Sequence, residues 1–93
     1  MAKTFKLEII TPEKVVYSDS VQSISADGTE GSFGILADHA PLITELKTSI
    51  LTVNDANNRT MRLAIYKGFL EVMANNVVVL SDVCVKEGEV NIE

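Results

Sequence analysis

The stretch Gly68-Phe69-Leu70-Glu71-Val72-Met73-Ala74-Asn75-Asn76-Val77-Val78-Val79-Leu80 decides the fold. Its first half alternates with a period of two: Leu70 and Val72 share one side and Glu71 takes the other, the pattern of a strand with one buried face. Ala74-Asn75-Asn76 supplies turn residues, because asparagine tolerates left-handed backbone and hydrogen-bonds locally. Val77 to Leu80 follows as an unbroken apolar run, which predicts a strand covered on both faces.

The same grammar extends outward in both directions. Thr4 to Ile10 sets Phe5, Leu7 and Ile9 against Thr4, Lys6 and Glu8, and Thr11-Pro12-Glu13 ends it. Lys14 to Tyr17 and Val21 to Ala26 read as two strands around a turn at Ser18-Asp19-Ser20. Phe33 to Leu36, Leu42 to Leu46 and Ile50 to Asn54 are further short strands. Asp55-Ala56-Asn57-Asn58 forms a hairpin loop, after which Met61, Leu63 and Ile65 share one face while Arg62 points away. Few segments carry helical spacing, so the expectation is an all-β chain, an antiparallel β-sandwich of about ten short strands. Residues 1–86 make the sandwich domain. The acidic tail at 87–93 has little left to bury and is expected to fray.

At 93 residues the chain holds one domain, and a chain of this size buries roughly 60 to 65% of its unfolded surface. The net charge of −5 repels phosphate backbones and no Lys/Arg cluster interrupts it, which argues against nucleic acid. No apolar run approaches the ~20 residues of a spanning helix, and the start lacks a signal-type apolar core. Cys84 is the single cysteine and reads as a small buried hydrophobe in a reducing compartment.

The chain offers little chemistry. His39 is the only histidine, and its neighbour Asp38 points the opposite way in an extended segment, so the expectation is a surface histidine that bonds locally or meets a partner. Glu30 and Asp38 read as solvated loop carboxylates, with nothing to desolvate either. Gly28, Gly31 and Gly34 are spaced as GxxGxxG, which matches neither a dinucleotide turn nor a phosphate loop. Asp55 to Arg59 starts like a calcium loop but sets Arg59 at a ligand position. A lipoyl or biotin carrier needs a lysine at an exposed hairpin tip, where Lys67 is the one candidate. No cofactor, metal or catalytic residue is expected. Phe33, Ile35 and Leu36 on a glycine-spaced segment are apolar anchors for docking, and Pro41 fixes the backbone that closes it.

Gly28-Thr29-Glu30-Gly31-Ser32-Phe33-Gly34-Ile35-Leu36-Ala37-Asp38-His39-Ala40-Pro41-Leu42 resembles the signature GxEGxFGxLPxHAPL of the ε subunit of bacterial and chloroplast F-type ATP synthases. Thr11 to Ser18, Gly68 to Val72 and Asn76 to Asp82 are similar to further landmarks of that family, and the likeness runs from about Phe5 to Val90. It implies a non-catalytic subunit of the rotating central stalk that grips the γ subunit, rests on the c-ring loops and transmits rotation between proton flow and ATP synthesis. By that resemblance Glu30, Ser32, Phe33, Asp38 and His39 face the c-ring, and His39, Ala40, Pro41 and Leu42 face γ. The implied location is peripheral, on the cytoplasmic face of the bacterial plasma membrane.

The chain departs from the family where Ser32 replaces a frequent acid, Ala37 a proline and Lys67 a glycine. Family members continue into a C-terminal helical hairpin, so neither inhibition nor nucleotide binding is carried over to a chain ending at Glu93; its start at Met1 leads us to expect a complete short form. Two readings from other classes stand beside this one. A free-standing β-domain binding a small ligand or peptide requires a concave apolar pocket with convergent polar groups. A hydrolase built on His39 with Asp38 or Glu30 requires a nucleophile within reach.

Overall fold

The computed structural model describes residues 3–87. Nine strands, and not ten, are formed among them: β1 Phe5–Ile10, β2 Val15–Gly28, β3 Gly31–Leu36, β4 Leu42–Leu46, β5 Ser49–Asp55, β6 Thr60–Ile65, β7 Gly68–Met73, β8 Asn76–Ser81 and β9 Cys84–Lys86. The first layer carries β1, β8, β7 and β4 side by side, and the second carries β3, β2, β5, β6 and β9. β1 and β8 run parallel and the remaining pairs antiparallel.

The long strand β2 joins the layers. Its first half, Val15 to Val21, pairs with β1. Its second half pairs with β3 on one side and β5 on the other, and Gly28 touches β4 at Leu46. The sequence reading of two strands around Ser18-Asp19-Ser20 is corrected here: these residues pair with Glu8, Leu7 and Lys6, and the ladder continues through them. Polar residues mid-strand looked like a turn because all three are exposed at the rim of the layer. A register shift between Val21 and Ser23 inserts one extra residue, so both Val21 and Ile24 face inward although they stand three apart.

The core lies between the layers and is built from period-two positions: Phe5, Leu7 and Ile9; Leu51 and Val53; Leu63 and Ile65; Leu70 and Val72; Val77 and Val79, each at most 3% exposed. Fully burying such side chains contributes about 1.5–3 kcal/mol apiece. Val77 to Leu80 is buried on one face only, with Leu80 at 49% exposure, so its continuous apolarity does not mean cover on both sides. Cys84 is half-buried against the rim of the core rather than enclosed. Of the predicted polar tail, Lys86 belongs to β9 and Glu87 pairs with Arg62 at 3.4 Å; residues 88–93 lie outside the described ones.

Candidate functional site

The glycine-spaced segment is a hairpin. β2 and β3 run from Ser23↔Leu36 to Gly28↔Gly31, and Gly31 takes φ 132°, a conformation that side chains other than hydrogen oppose. Glu30 stands exposed on the turn, and the Ser32 hydroxyl donates to the Asp27 carboxylate at 2.6 Å. Phe33 is half-buried and packs against the core from the edge. The turn is tied to β4, where the Thr29 amide donates to the Glu45 carbonyl at 3.1 Å and the Lys47 amide to the Asp27 carbonyl at 2.9 Å.

Asp38 and His39 sit elsewhere. All of β3 separates them from Glu30, which at about 3.3 Å per residue is on the order of 20 Å of extended chain. The residues the resemblance assigns to the c-ring therefore form two groups rather than one: Glu30, Ser32 and Phe33 at the hairpin, Asp38 and His39 beyond the other end of β3. The second group adjoins Ala40, Pro41 and Leu42, so the segment 38–42 is continuous.

Asp38 is held by two partners. Its amide donates to Asn75 Oδ1 at 2.6 Å, Asn75 Nδ2 donates to its Oδ1 at 2.9 Å, and Lys3 Nζ donates to its Oδ2 at 2.6 Å. The Lys3 bond first, then the Asn75 bond, holds the Asp38 carboxyl below its ordinary range, and Asp38 raises Lys3 in turn. Asp38 (φ 67°), Ala74 (φ 51°) and Asn75 (φ 64°) all occupy the left-handed region, so two tight turns meet back to back and are locked by side-chain amide and carboxylate. His39 Nδ1 lies 2.7 Å from the Ala40 carbonyl; a carbonyl only accepts, so Nδ1 carries the proton. As expected, Asp38 and His39 engage different groups.

The sequence reading looked for a docking face at the apolar strand Val77 to Leu80 and at the Phe33 and Pro41 loops; Leu80 does stand 49% exposed on the outer face of the first layer, but Ile43, Phe69 and Met73 beside it were not foreseen. Outward-facing residues fall into rows that cross the strands. One row is Glu45, Phe69, Leu80, Ile10 and Val15, read through successive pairings of β4, β7, β8, β1 and β2. The next is Ile43, Glu71, Val78, Glu8 and Ser18. Ile43 is 72% exposed, Met73 56%, Val15 55% and Phe69 54%, an apolar surface larger than scattered single residues produce. A groove of about 450 Å³ runs over Ile10, Pro12, Phe69 and Leu80. Met73 leads into the Ala74–Asn75 turn, so the clasp on Asp38 sits at the margin of this face. The available sequence signal was the alternation of β7 itself, whose outward set Phe69 and Met73 is apolar.

Among the described residues no group of three or more His, Cys, Asp or Glu converges on a point. The half-buried Tyr17 phenol is raised chiefly by burial, then by Asp19 and Asp55. Lys67 does not project from a flexible tip: its amide is bound to Thr48 Oγ1 at 3.1 Å.

The family described as ATP synthase, Delta/Epsilon chain, beta-sandwich domain matches residues 4–87. The ATP synthase epsilon chain of Desulforamulus reducens is 41% identical over 93 residues, all of this chain and 70% of the relative. That of Carboxydothermus hydrogenoformans is 44% identical over 93 residues, covering 69% of its length. A chain in the cryo-EM structure of the Euglena gracilis mitochondrial ATP synthase OSCP/F1/c-ring superimposes with a TM-score of 0.88 at 22% identity over 95% of this chain and 56% of that one. One from the Tetrahymena thermophila mitochondrial ATP synthase central stalk/c-ring gives 0.77 at 18% identity over 99% and 73%. These two likenesses speak to the fold. ATP synthase epsilon chains are non-catalytic subunits, in keeping with the residue chemistry above. On the family match and the identity to its relatives, this chain belongs to the ATP synthase delta/epsilon family of β-sandwich domains.

Proposed function

We propose that this chain is a central-stalk subunit of a proton-transporting F-type ATP synthase, coupling c-ring rotation to ATP synthesis by holding the γ subunit with one surface and the c-ring with another. The observation that carries the reading is the outer face of the first layer, where Ile43, Phe69, Met73 and Leu80 stand 49–72% exposed in a member of this family. Apolar area of this extent gains free energy when a partner covers it. The γ side comprises this face with the adjoining segment His39, Ala40, Pro41 and Leu42. The c-ring side comprises the hairpin residues Glu30, Ser32 and Phe33, whereas Asp38 and His39, beyond the other end of β3, go with the γ side. In this role the chain works at the membrane surface as a peripheral subunit, on the cytoplasmic face in a bacterium. Its sandwich suits the work, because a close-packed interior has low compressibility and transmits strain.

The test is direct association. The 93-residue chain, titrated against purified γ subunit by calorimetry, is expected to bind at micromolar concentration or tighter, and Phe69→Ser is expected to weaken binding at least tenfold with the fold intact. Absence of any association at micromolar concentrations overturns the reading.

A further inference from the structure

Three strands of the sandwich have a side that pairs with no neighbouring strand along most of its length, and these edges are not equally guarded. β9 is short and carries Lys86. β4 follows Pro41 and carries Glu45, and its outer side is partly taken, because the Glu45 carbonyl and the Lys47 amide are bonded to Thr29 and Asp27. β3, Gly31-Ser32-Phe33-Gly34-Ile35-Leu36, pairs with β2 alone and in unbroken register. Charge, proline, bulges and brevity are the devices by which an edge strand turns away a second partner, and β3 has none of them.

The backbone groups it leaves open follow from the register. Asp27 and Thr29 direct theirs to β4, so the alternate residues Ile24, Ala26 and Gly28 direct theirs to β3, where they meet Ile35, Phe33 and Gly31. Ser32, Gly34 and Leu36 therefore point their N–H and C=O groups away from the sheet. No bond takes these groups up among the described residues.

Gly34 is a second, independent sign. Gly31 needs its φ of 132°, a Cβ at Gly68 would strike the Leu80 carbonyl, and one at Gly28 would crowd Phe33 and the Glu45 carbonyl. At Gly34 the backbone is not left-handed, and a Cβ would meet only the Ile24 carbonyl oxygen at an ordinary 3.6 Å. The domain alone has no need of glycine at this position, where glycine weakens the strand. Such a glycine marks a close approach by another backbone.

A second copy of the chain suits this edge poorly. Antiparallel pairing with Gly34 opposite Gly34 and Ser32 opposite Leu36 brings Glu30 of each copy toward Asp38 of the other, on chains of net charge −5. β3 runs instead into the segment 38–42, which the proposed function gives to the γ side, so a γ strand on this edge continues that surface.

We infer that an extended segment of the γ subunit adds to the second layer beside β3, exchanging backbone hydrogen bonds with Ser32, Gly34 and Leu36. Strand addition of this kind draws its affinity from the main chain. The inference rests on the proposed stalk function and makes part of its γ-facing surface a matter of backbone pairing.

Amide exchange tests it. In the free 93-residue chain the amides of Ser32, Gly34 and Leu36 are expected to exchange fast and those of Phe33 and Ile35 slowly; with γ bound, the first three are expected to slow by about tenfold or more. If γ binds and these three amides keep their free rates, the strand inference fails and the stalk reading stands. If γ does not bind, both fall. If the three are already slow in the free chain and sedimentation shows a dimer, the edge belongs to a second copy and the inference fails.

Two variants read the same contact. Gly34→Pro removes one outward N–H and leaves the bonds to β2 in place, a substitution that edge strands tolerate; γ affinity is expected to fall by about tenfold, the worth of a lost hydrogen bond. Gly34→Ala is expected to melt no lower than the unsubstituted chain and still to bind γ more weakly, because its Cβ stands where the partner comes close. Circular dichroism confirms each fold. Unchanged γ affinity in both folded variants overturns the inference, and if Gly34→Pro does not fold, Gly34→Ala and the exchange rates decide it.

Discussion

Asp38 and Asn75 clasp each other reciprocally: the Asp38 amide donates to Asn75 Oδ1 at 2.6 Å while Asn75 Nδ2 returns a bond to Asp38 Oδ1 at 2.9 Å. Thirty-seven residues apart in sequence, they fasten the entry to β4 onto the β7–β8 turn, and so fix the segment 38–42 against the apolar face. Asn75→Gly keeps the left-handed turn, because glycine accepts φ near 64°, but removes the clasp. Amide exchange in residues 38–40 is expected to quicken about tenfold while the unfolding midpoint moves little; unchanged exchange would show that the clasp holds nothing.

The same site makes a pH prediction. The folded Asp38 carboxyl titrates below its ordinary range because Lys3 and Asn75 bind the charged form. A depressed carboxylate contributes stability that is present above the unfolded value of about 3.9 and is lost as pH falls through the lower folded value. Both partners are exposed, so salt screens much of the effect. Carboxyl NMR is expected to place the Asp38 midpoint below the ordinary aspartate value, and Lys3→Ala is expected to raise it.

Gly68 is required by close approach. A Cβ there would collide with the carbonyl oxygen of Leu80 on β8, and a backbone atom inside a paired strand cannot move aside cheaply. Gly68→Ala is expected to destabilise the domain by about 3 kcal/mol, in the upper range for overpacking, measured by urea unfolding. A loss under about 1 kcal/mol would contradict the packing of β7 on β8.

Among the described residues Ser81 is the buried polar side chain, at 6% exposure. Its hydroxyl lies 2.8 Å from the Val83 carbonyl and 3.2 Å from the Tyr66 carbonyl, and accepts from the Tyr66 amide at 3.3 Å. It thereby ties the end of β8 to the β6–β7 connection. The Tyr66 amide also donates to the Val83 carbonyl at 3.1 Å, so Ser81→Ala leaves both of these backbone groups bonded and is expected to cost about 1 kcal/mol, the net worth of an ordinary hydrogen bond, measured by urea unfolding.

Leu70 and Phe69 are neighbours with opposite fates. Leu70 is 0% exposed and Phe69 54%, so Leu70→Ala is expected to cost about 2–5 kcal/mol and Phe69→Ser under about 1 kcal/mol. Association should reverse the order, with Phe69→Ser the more damaging at temperatures where both variants are folded. Thermal melts paired with γ titrations separate the two effects.

Most strands were legible because the alternation of Phe5/Leu7/Ile9 and Leu63/Ile65 is a local property of the chain. The β7–β8 turn was legible from Asn75 for the same reason. Ser18-Asp19-Ser20 misled because a polar run reads as a turn unless the pairing partner, here β1, is known. Lys67, which the resemblance sets where a glycine is usual, takes φ 47°; a left-handed backbone at this position is a property of the fold and not of the local sequence.

The sequence by itself determined an all-β chain, the inward set of the strands that alternate strictly, such as Phe5/Leu7/Ile9 and Leu70/Val72, and the resemblance to a stalk subunit, since all of these follow from local order along the chain. Only the tertiary structure decided that Glu30 and Asp38 lie apart, that Asp38 meets Asn75, and that Glu45, Phe69 and Leu80 share a row with Glu71, Val78 and Glu8 beside it. The physical reason is register: which residues face each other across strands is set by the sum of many pairings and one shared core, and no short window of sequence contains that sum.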